Sequence, residues 1–389
     1  MALENYRMQQ LNALKADMHP AWDELLKISA PDAVFLKGSY LSTLEDTGCV
    51  GANTGWTAHH LLLWDTQNQL AAACPLYAKT HSYGEYVFDW AWAEAYHRHN
   101  LSYYPKYLCA LPFTPVPGPR LLARDAAAQL ELAKTLIKIT ESNAMSSCHV
   151  LLPDNTSAKA LQLAGFMQRK GMQFHWFNQQ YQSFEHFLET LTQSKRKKIR
   201  AERRKIQQAG LHFEWKNACD TTETDWRFFY QCYASTYAAH HSTPYLNEEF
   251  FKLLAKRMPD HVLLCIAKRG SQSLAASFFI RSDNCIFGRY WGSLEYIPCL
   301  HFEACYYQAI QYAIENNISV FEGGAQGEHK IARGLQAVET SSWHWLRHPA
   351  FNTAIEQFLK READGIEQYF DDLNERSPFK QSKTKQEYF

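Results

Sequence analysis

Apolar residues fall into two rhythms along this chain. Short runs that alternate or stay continuously apolar between polar turns predict strands, and stripes recurring every three or four positions predict helices. Leu61–Trp64 and Leu70–Ala78 flank a polar turn, as do Val262–Lys268 and Leu274–Arg281, so each pair predicts a hairpin. Within 125–141, Leu130, Leu132, Ala133, Leu136 and Ile137 form a helical stripe. Within 302–315, Cys305, Tyr306, Ala309, Ile310 and Ala313 repeat it. Asn143 and Asn316–Asn317 stand where helix C-caps are expected, and a short apolar strand follows each helix, at His149–Leu152 and Ser319–Phe321.

These elements recur in the same order. Gly165 leads to His175-Trp176, and Gly334 leads to His344-Trp345, an offset of 169 residues at both landmarks. The hairpins echo one another at a larger offset, Leu70 matching Leu274. The first copy therefore carries extra residues, expected around 96–119. Each half reads as meander strands, a helix, a strand, a loop and a last strand, which predicts an α+β protein with mixed sheets covered by helices. The expected division is 1–181 for the first domain, 182–376 for the second and 377–389 for a polar, frayed tail.

Between the halves, Ser194 to Lys205 is a basic run broken by the single acid Glu202. Behind Phe184, Phe187, Leu188 and Leu191 it predicts a helix that turns strongly basic. This matters because the whole chain is balanced: 389 residues carry 40 Lys+Arg and 40 Asp+Glu. Zero net charge argues against a generic polyanion binder but leaves room for a local patch that takes phosphates. With 46% hydrophobic residues the chain has ample core and is not a disordered protein. No apolar stretch approaches the roughly 20 residues of a membrane span, and the first residues lack the apolar core of a secretion signal. A cytoplasmic protein is expected. Ten cysteines without a C-x-x-C pair read as reduced, buried thiols.

The densest polar cluster is Glu322-Gly323-Gly324-Ala325-Gln326-Gly327-Glu328-His329-Lys330-Ile331-Ala332-Arg333-Gly334. Glycines after a strand end let backbone approach a ligand closely. Glu322 and His329 are candidate general bases, and Lys330 and Arg333 offer positive charge to an anion or a developing oxyanion. A salt-bridged surface loop is the plain alternative. The corresponding loop of the first half, 153–164, lacks this charge density, so the second half is the expected active copy. Gly288-Arg289-Tyr290-Trp291-Gly292 and His301-Phe302-Glu303 form a second constellation, a strand end beside a helix N-terminus suited to an anion. Its alternative is core aromatics with an N-terminal acid favoured by the helix dipole.

Other chemistries find little support in the spacing. The lysine is flanked by His329 and Ile331, so G-x-x-x-x-G-K-[ST] fails, and no G-x-G-x-x-G is present. There is no G-x-S-x-G elbow and no H-E-x-x-H, and the adjacent His240-His241 are poorly placed to chelate together. No metal site is expected.

The order F-E-G-G-A-Q-G-E-H-K-x-x-R-G, preceded by G-R-Y-W-G and H-F-E-x-C-Y-Y-Q, resembles the FemAB-like proteins of peptidoglycan biosynthesis or recognition. G-C-V-G-x-x-T-G-W near 48–56 and L-P-F-T-P-V-P-G-P-R at 111–120 extend the resemblance along nearly the whole chain. Their relatives, the Fem aminoacyltransferases, are built from two tandem GNAT folds, the fold of acyl-CoA N-acyltransferases. The resemblance implies transfer of an acyl or aminoacyl group to an amine, with a peptidoglycan precursor as one acceptor. It also implies a role for Lys330, which matches the lysine of an F-K-x-x-F-G-like stretch. Here His329 replaces the aromatic before that lysine, and Arg333 the one before the glycine. The helical arm that several Fem proteins insert after their basic segment is absent, because Gly210 follows Lys205 closely. The R/Q-x-x-G-x-G/A turn that holds acyl-CoA pyrophosphate is absent from both halves, and Pro117 and Pro119 remove N–H donors at the comparable place in the first.

The expectation is an N-acyltransferase with its site between the halves. Glu322, His329 and Lys330 are the candidate catalytic residues. Arg289, Trp291, His301, Glu303, Gln326 and Arg333 are the candidate substrate-binding residues. No tightly bound cofactor is expected. The donor is left open among acyl-CoA, acyl carrier protein and aminoacyl-tRNA, the last two docking on 195–205, and the acceptor is a small amine. The alternatives are a binding module without turnover, for a peptidoglycan precursor or nucleic acid, and a carrier-protein-dependent acyltransferase acting on a lipid or amino acid.

Overall fold

The computed structural model describes residues 2, 3, 5–324 and 327–380. The expected hairpins form. His60–Trp64 pairs with Leu70–Cys74, and Val262–Arg269 pairs with Gln272–Arg281. In the first copy Pro75 interrupts the second strand, because it offers no N–H to a ladder. The chain resumes at Tyr77–Lys79 in a different sheet. The helices of the two stripes run over Ala126–Ser142, capped by Asp125, and over residues 300–315, with Asn143 and Asn316 as C-caps. The basic run is helical over Gln193–Gln208 and buries Ile199, Glu202 and Ile206.

The strands form a five-stranded sheet in the first half and an eleven-stranded sheet that crosses both halves. The crossing is an exchange. Met167–Phe177, the last strand of the first copy, lies beside Val320–Glu322 of the second, while Gln336–Leu346 lies beside Ser147–Leu151 of the first. These two crossing strands pair antiparallel at the centre, from Met167↔His344 through Gly171↔Thr340 to His175↔Gln336. Moving 169 residues along the sequence carries Gly171 onto Thr340, its own partner, so a local twofold passes between them. The offset read from the sequence is thus written into the register of the sheet.

Helix Pro349–Glu375 lies across both crossing strands, tied by Arg169 to Glu362 at 2.8 Å and by Lys170 to Glu367. The largest core joins the halves, packing Trp22, Phe35 and Tyr40 of the first with Phe229, Phe251 and Phe278 of the second. The tail differs from its expectation at its start. Thr192 N–H donates to Pro378 O, Lys380 N–H to Thr190 O, and Phe379 packs on the second-half core. Residues 381–389 lie outside the described residues.

Candidate functional site

The site begins where two parallel strands part. Cys285–Ser293 and Val320–Glu322 are in register for Cys285↔Val320, Ile286↔Phe321 and Phe287↔Glu322. Then the second strand turns toward its other neighbour: Gly323 N–H donates to Phe174 O at 3.0 Å, and Phe174 N–H to Gly324 O at 3.1 Å. Glycine is required at 323, where a Cβ would stand 2.5 Å from a Leu335 methyl and 3.1 Å from Phe174 O. Gly288 faces it across the parting, so neither flank carries a side chain there. Gly292 serves the same strand's packing, since a Cβ would fall 1.8 Å from Cys232 O.

On one face of the parting lies a cavity of about 140 Å³, lined by Arg289, Trp291, His301, Cys305, Tyr306 and Gly323, among others. Three of the sequence candidates, Arg289, Trp291 and His301, therefore share one cavity. The helix that supplies His301 widens to a π-helical turn over Glu303–Tyr307, a distortion frequent at functional sites. Trp291 and His301 have ring centroids 4.9 Å apart, and Tyr306 Oη is 3.3 Å from His329 Nε2. Burial, then the neighbouring His329, Arg333 and Lys330, hold His301 down to about 4. His329 is lowered by burial and by Arg333 and Lys330. Lys330 is 5% exposed, and burial brings it down to about 8, where a fraction is neutral near physiological pH. Its Nζ donates to Gly324 O at 3.1 Å and sits 5.7 Å from the Phe174 ring centroid. Burial pushes the Cys305 thiol up to about 12, so it is not a ready thiolate.

Glu322 opens onto the opposite face. Alternation along the strand sends Phe321 to the small cavity, and Val320 and Glu322 to a larger one of about 470 Å³ between the halves. The cross-strand partner of Glu322, His175, lines that same cavity. Burial raises the Glu322 carboxyl to about 8 against the pull of Arg289 and Arg120, and His175 is held down to about 4 by burial and Lys330. Arg289, which lines the small cavity, is near enough to Glu322 for its charge to act on the carboxyl. Its Nη2 donates to Phe113 O at 3.0 Å, while Nε is buried with no partner among the described residues. Glu322 and Lys330 do not share one open cavity: strand alternation and the Phe174 contact put them on opposite sides of the parting.

Two other candidates are engaged within the chain. Arg333, 2% exposed, donates from Nη2 to Glu202 at 2.9 and 3.0 Å and stacks 3.4 Å over Phe302. Glu303, 3% exposed, accepts from Arg203 Nη2 at 3.0 Å and Gln308 at 2.8 Å. Both residues tie the basic helix to the loop and to the π-helical turn, which positions His329 and Lys330. Gln326 lies outside the described residues. Sequence reasoning passed over His175 as a site residue although its His-Trp motif marked the repeat. It also passed over Arg120, hidden in the proline-rich 111–120 stretch. No group of three His, Cys, Asp or Glu side chains among the described residues is arranged to hold a metal ion.

The twofold relates the two copies of the site, and their polar groups differ. Crossing-strand His344 pairs with His149 in the first half as His175 pairs with Glu322 in the second. His149 is fully enclosed: its Nδ1 is 2.8 Å from His344 Nδ1, its Nε2 2.8 Å from Ser147 Oγ and 3.0 Å from Tyr103 Oη. Arg120 closes the first half's parting by donating from Nε to Leu151 O at 2.8 Å, with Nη1 and Nη2 to Pro119 O and Val116 O.

A twofold pair of α+β halves, joined by exchanged strands and opening where parallel strands part, is the mixed α+β fold that FemX shares. The chain belongs to the FemAB-like family, described as peptidoglycan biosynthesis/recognition, which it matches over residues 13–381. Among solved structures, FemX superposes with a TM-score of 0.56 at 10% identity, covering 90% of this chain and 100% of that one. The C-terminal domain of a putative lysylphosphatidylglycerol synthetase from Agrobacterium fabrum gives 0.55 at 9% identity, covering 88% and 96%. A tandem GNAT protein from the clavulanic acid biosynthesis pathway gives 0.48 at 8% identity, covering 88% and 99%. No curated protein matches the sequence. No helix among the described residues is long and apolar enough to cross a membrane.

Proposed function

We propose that the protein is an N-acyltransferase that joins an activated acyl or aminoacyl group to an amine at the parting of Cys285–Ser293 and Val320–Glu322. One observation carries the reading: Glu322, a carboxyl raised to about 8, lines the larger cavity where the strands part, and Arg289, whose charge acts on it, lines the smaller one with Gly288 and Gly323. A base near the working pH suits removal of a proton from an attacking ammonium or amine.

In this reading the amine nitrogen attacks the donor carbonyl carbon and Glu322 takes its proton. Arg289, through its unpartnered Nε, and Lys330 stabilise the oxyanion. Collapse forms the amide and expels the donor's leaving group, which takes a proton from solvent. Trp291 and His301 hold the acyl head, and the small cavity suits a compact one. Arg333 and Glu303 act by positioning. The donor is acyl-CoA, acyl carrier protein or aminoacyl-tRNA. The exposed or half-buried Lys195, Lys197, Lys198, Arg204 and Lys205, which form no ion pair among the described residues, suit the phosphates that all three carry. A peptidoglycan precursor is a candidate acceptor, and the cytoplasm, where such donors are made, is the proposed location.

The test is amide formation detected by mass spectrometry, with the three donors offered against a panel of amines that includes a peptidoglycan precursor. Glu322→Gln and Lys330→Met are then assayed singly. Loss of most turnover in each is expected; wild-type turnover in both sinks the site. Saturable binding with no turnover for any donor favours a recognition module instead.

A further inference from the structure

The larger cavity is too well built to be a mere mouth for the smaller one. At about 470 Å³ it has the volume of a small-molecule site. Its walls are apolar and come from both halves: Ala33 and Val34 beyond the first helix, Val116 of the proline-rich loop, Phe287 and Val320 at the parting, and Val338 of the second crossing strand. Glu322 and His175, cross-strand partners, line it too. Arg120 also lines it but has its donors committed to the carbonyls of Leu151, Pro119 and Val116. Polar groups return at the rim, where Asn284 Nδ2 donates to exposed Asp32 at 2.6 Å.

An apolar cavity lined by a carboxyl and a neighbouring imidazole selects a particular kind of ligand. The body gains by removing its apolar surface from water, at about 25 cal/mol per Å². The tip must satisfy a buried carboxyl and an imidazole, because leaving them unpaired is costly. The rim meets water. We propose that this cavity is the acceptor site and that the acceptor is an amine at the end of an apolar alkyl or aryl body. It enters from the face opposite the donor and meets it at the Gly288–Gly323 gap. The assignment rests on the transfer reading above, and deepens it by naming the acceptor's chemistry and its direction of approach.

Calorimetric titration of the full-length protein with dodecylamine and with ethanolamine, below the micellar range, tests it without needing a donor. Val338→Trp and Ala33→Phe add bulk to the cavity at two half-buried lining positions, one from each half. Circular dichroism and melting verify that each variant folds. Dodecylamine is expected to bind the native protein at least tenfold more tightly than ethanolamine, and each blocked variant is expected to lose at least tenfold of that affinity. Equal affinity of dodecylamine for native and both blocked variants overturns the site. So does transfer to a hydrophilic amine that both substitutions leave unchanged, and that outcome spares the transfer reading. Cavity-dependent binding of dodecylamine with no amide from any of the three donors has the opposite meaning: the apolar-amine site stands and the transfer reading falls.

Discussion

Two groups of opposite charge type with the same displaced titration make the chemistry testable at the residue scale. Glu322 must be ionised to accept a proton, and burial delays that until about pH 8. Lys330 must be protonated to face an oxyanion, and burial removes that proton above about the same pH. The rate is therefore expected to follow a bell centred near pH 8, read from kcat/KM across pH 6 to 10. Glu322→Gln should abolish the acid limb with most of the activity, and Lys330→Met the alkaline limb. Stability should move the other way. A carboxyl with a raised folded-state value favours folding below its ordinary range and loses that contribution as pH climbs to about 8. The Gln variant is thus expected to gain stability over the native protein progressively from about pH 4.5 to 8, measured by urea midpoint. A flat difference across that range would remove the argument that Glu322 is buried against its charge.

At the scale of elements, the loop over 327–334 is held by a buried ion pair that the basic helix provides. Glu202, the one acid in the run, receives Arg333 and the Tyr307 hydroxyl. Removing one partner of such a pair leaves the other charge unpaired, at a cost of about 3–5 kcal/mol. Glu202→Ala should lose stability on that scale in chemical denaturation. If enough folded protein remains, it should also slacken the turn that carries His329 and Lys330. Gly292→Ala forces a Cβ onto the Cys232 carbonyl, so the helix Glu223–Ala239 must move off the strand. A clear drop in melting temperature is expected, where an exposed glycine such as Gly365, with nothing near it, should tolerate the change. Helices, caps and hairpins were legible because each is a local matter of period and punctuation. The partners of Arg333 and Glu303 were not, because they lie 131 and 100 residues away in sequence. Charge alone does not distinguish a side chain reserved for substrate from one committed to a distant helix.

For the whole molecule, the exchanged strands make the halves mutually dependent. The second half alone lacks Met167–Phe177, the strand that bridges Val320–Glu322 to Gln336–Leu346, and would expose both edges as well as the shared core. Residues 182–380 expressed alone are expected to aggregate or to show no cooperative melt. The full chain is expected to unfold in one transition by both fluorescence and calorimetry. A well-folded, cooperatively melting second half would contradict the strand exchange.

The sequence by itself determined the duplication, the α+β class and the basic helix between the halves. Each of these is a pattern of residue types along the chain. The tertiary structure alone decided that the last strands trade places, that Glu322 and Lys330 serve opposite faces of one parting, and that Arg333 is pinned to Glu202. The reason is physical. Periodicity states which face of a strand is apolar, whereas the neighbour that meets that face is chosen by long-range pairing and packing, which no local pattern encodes.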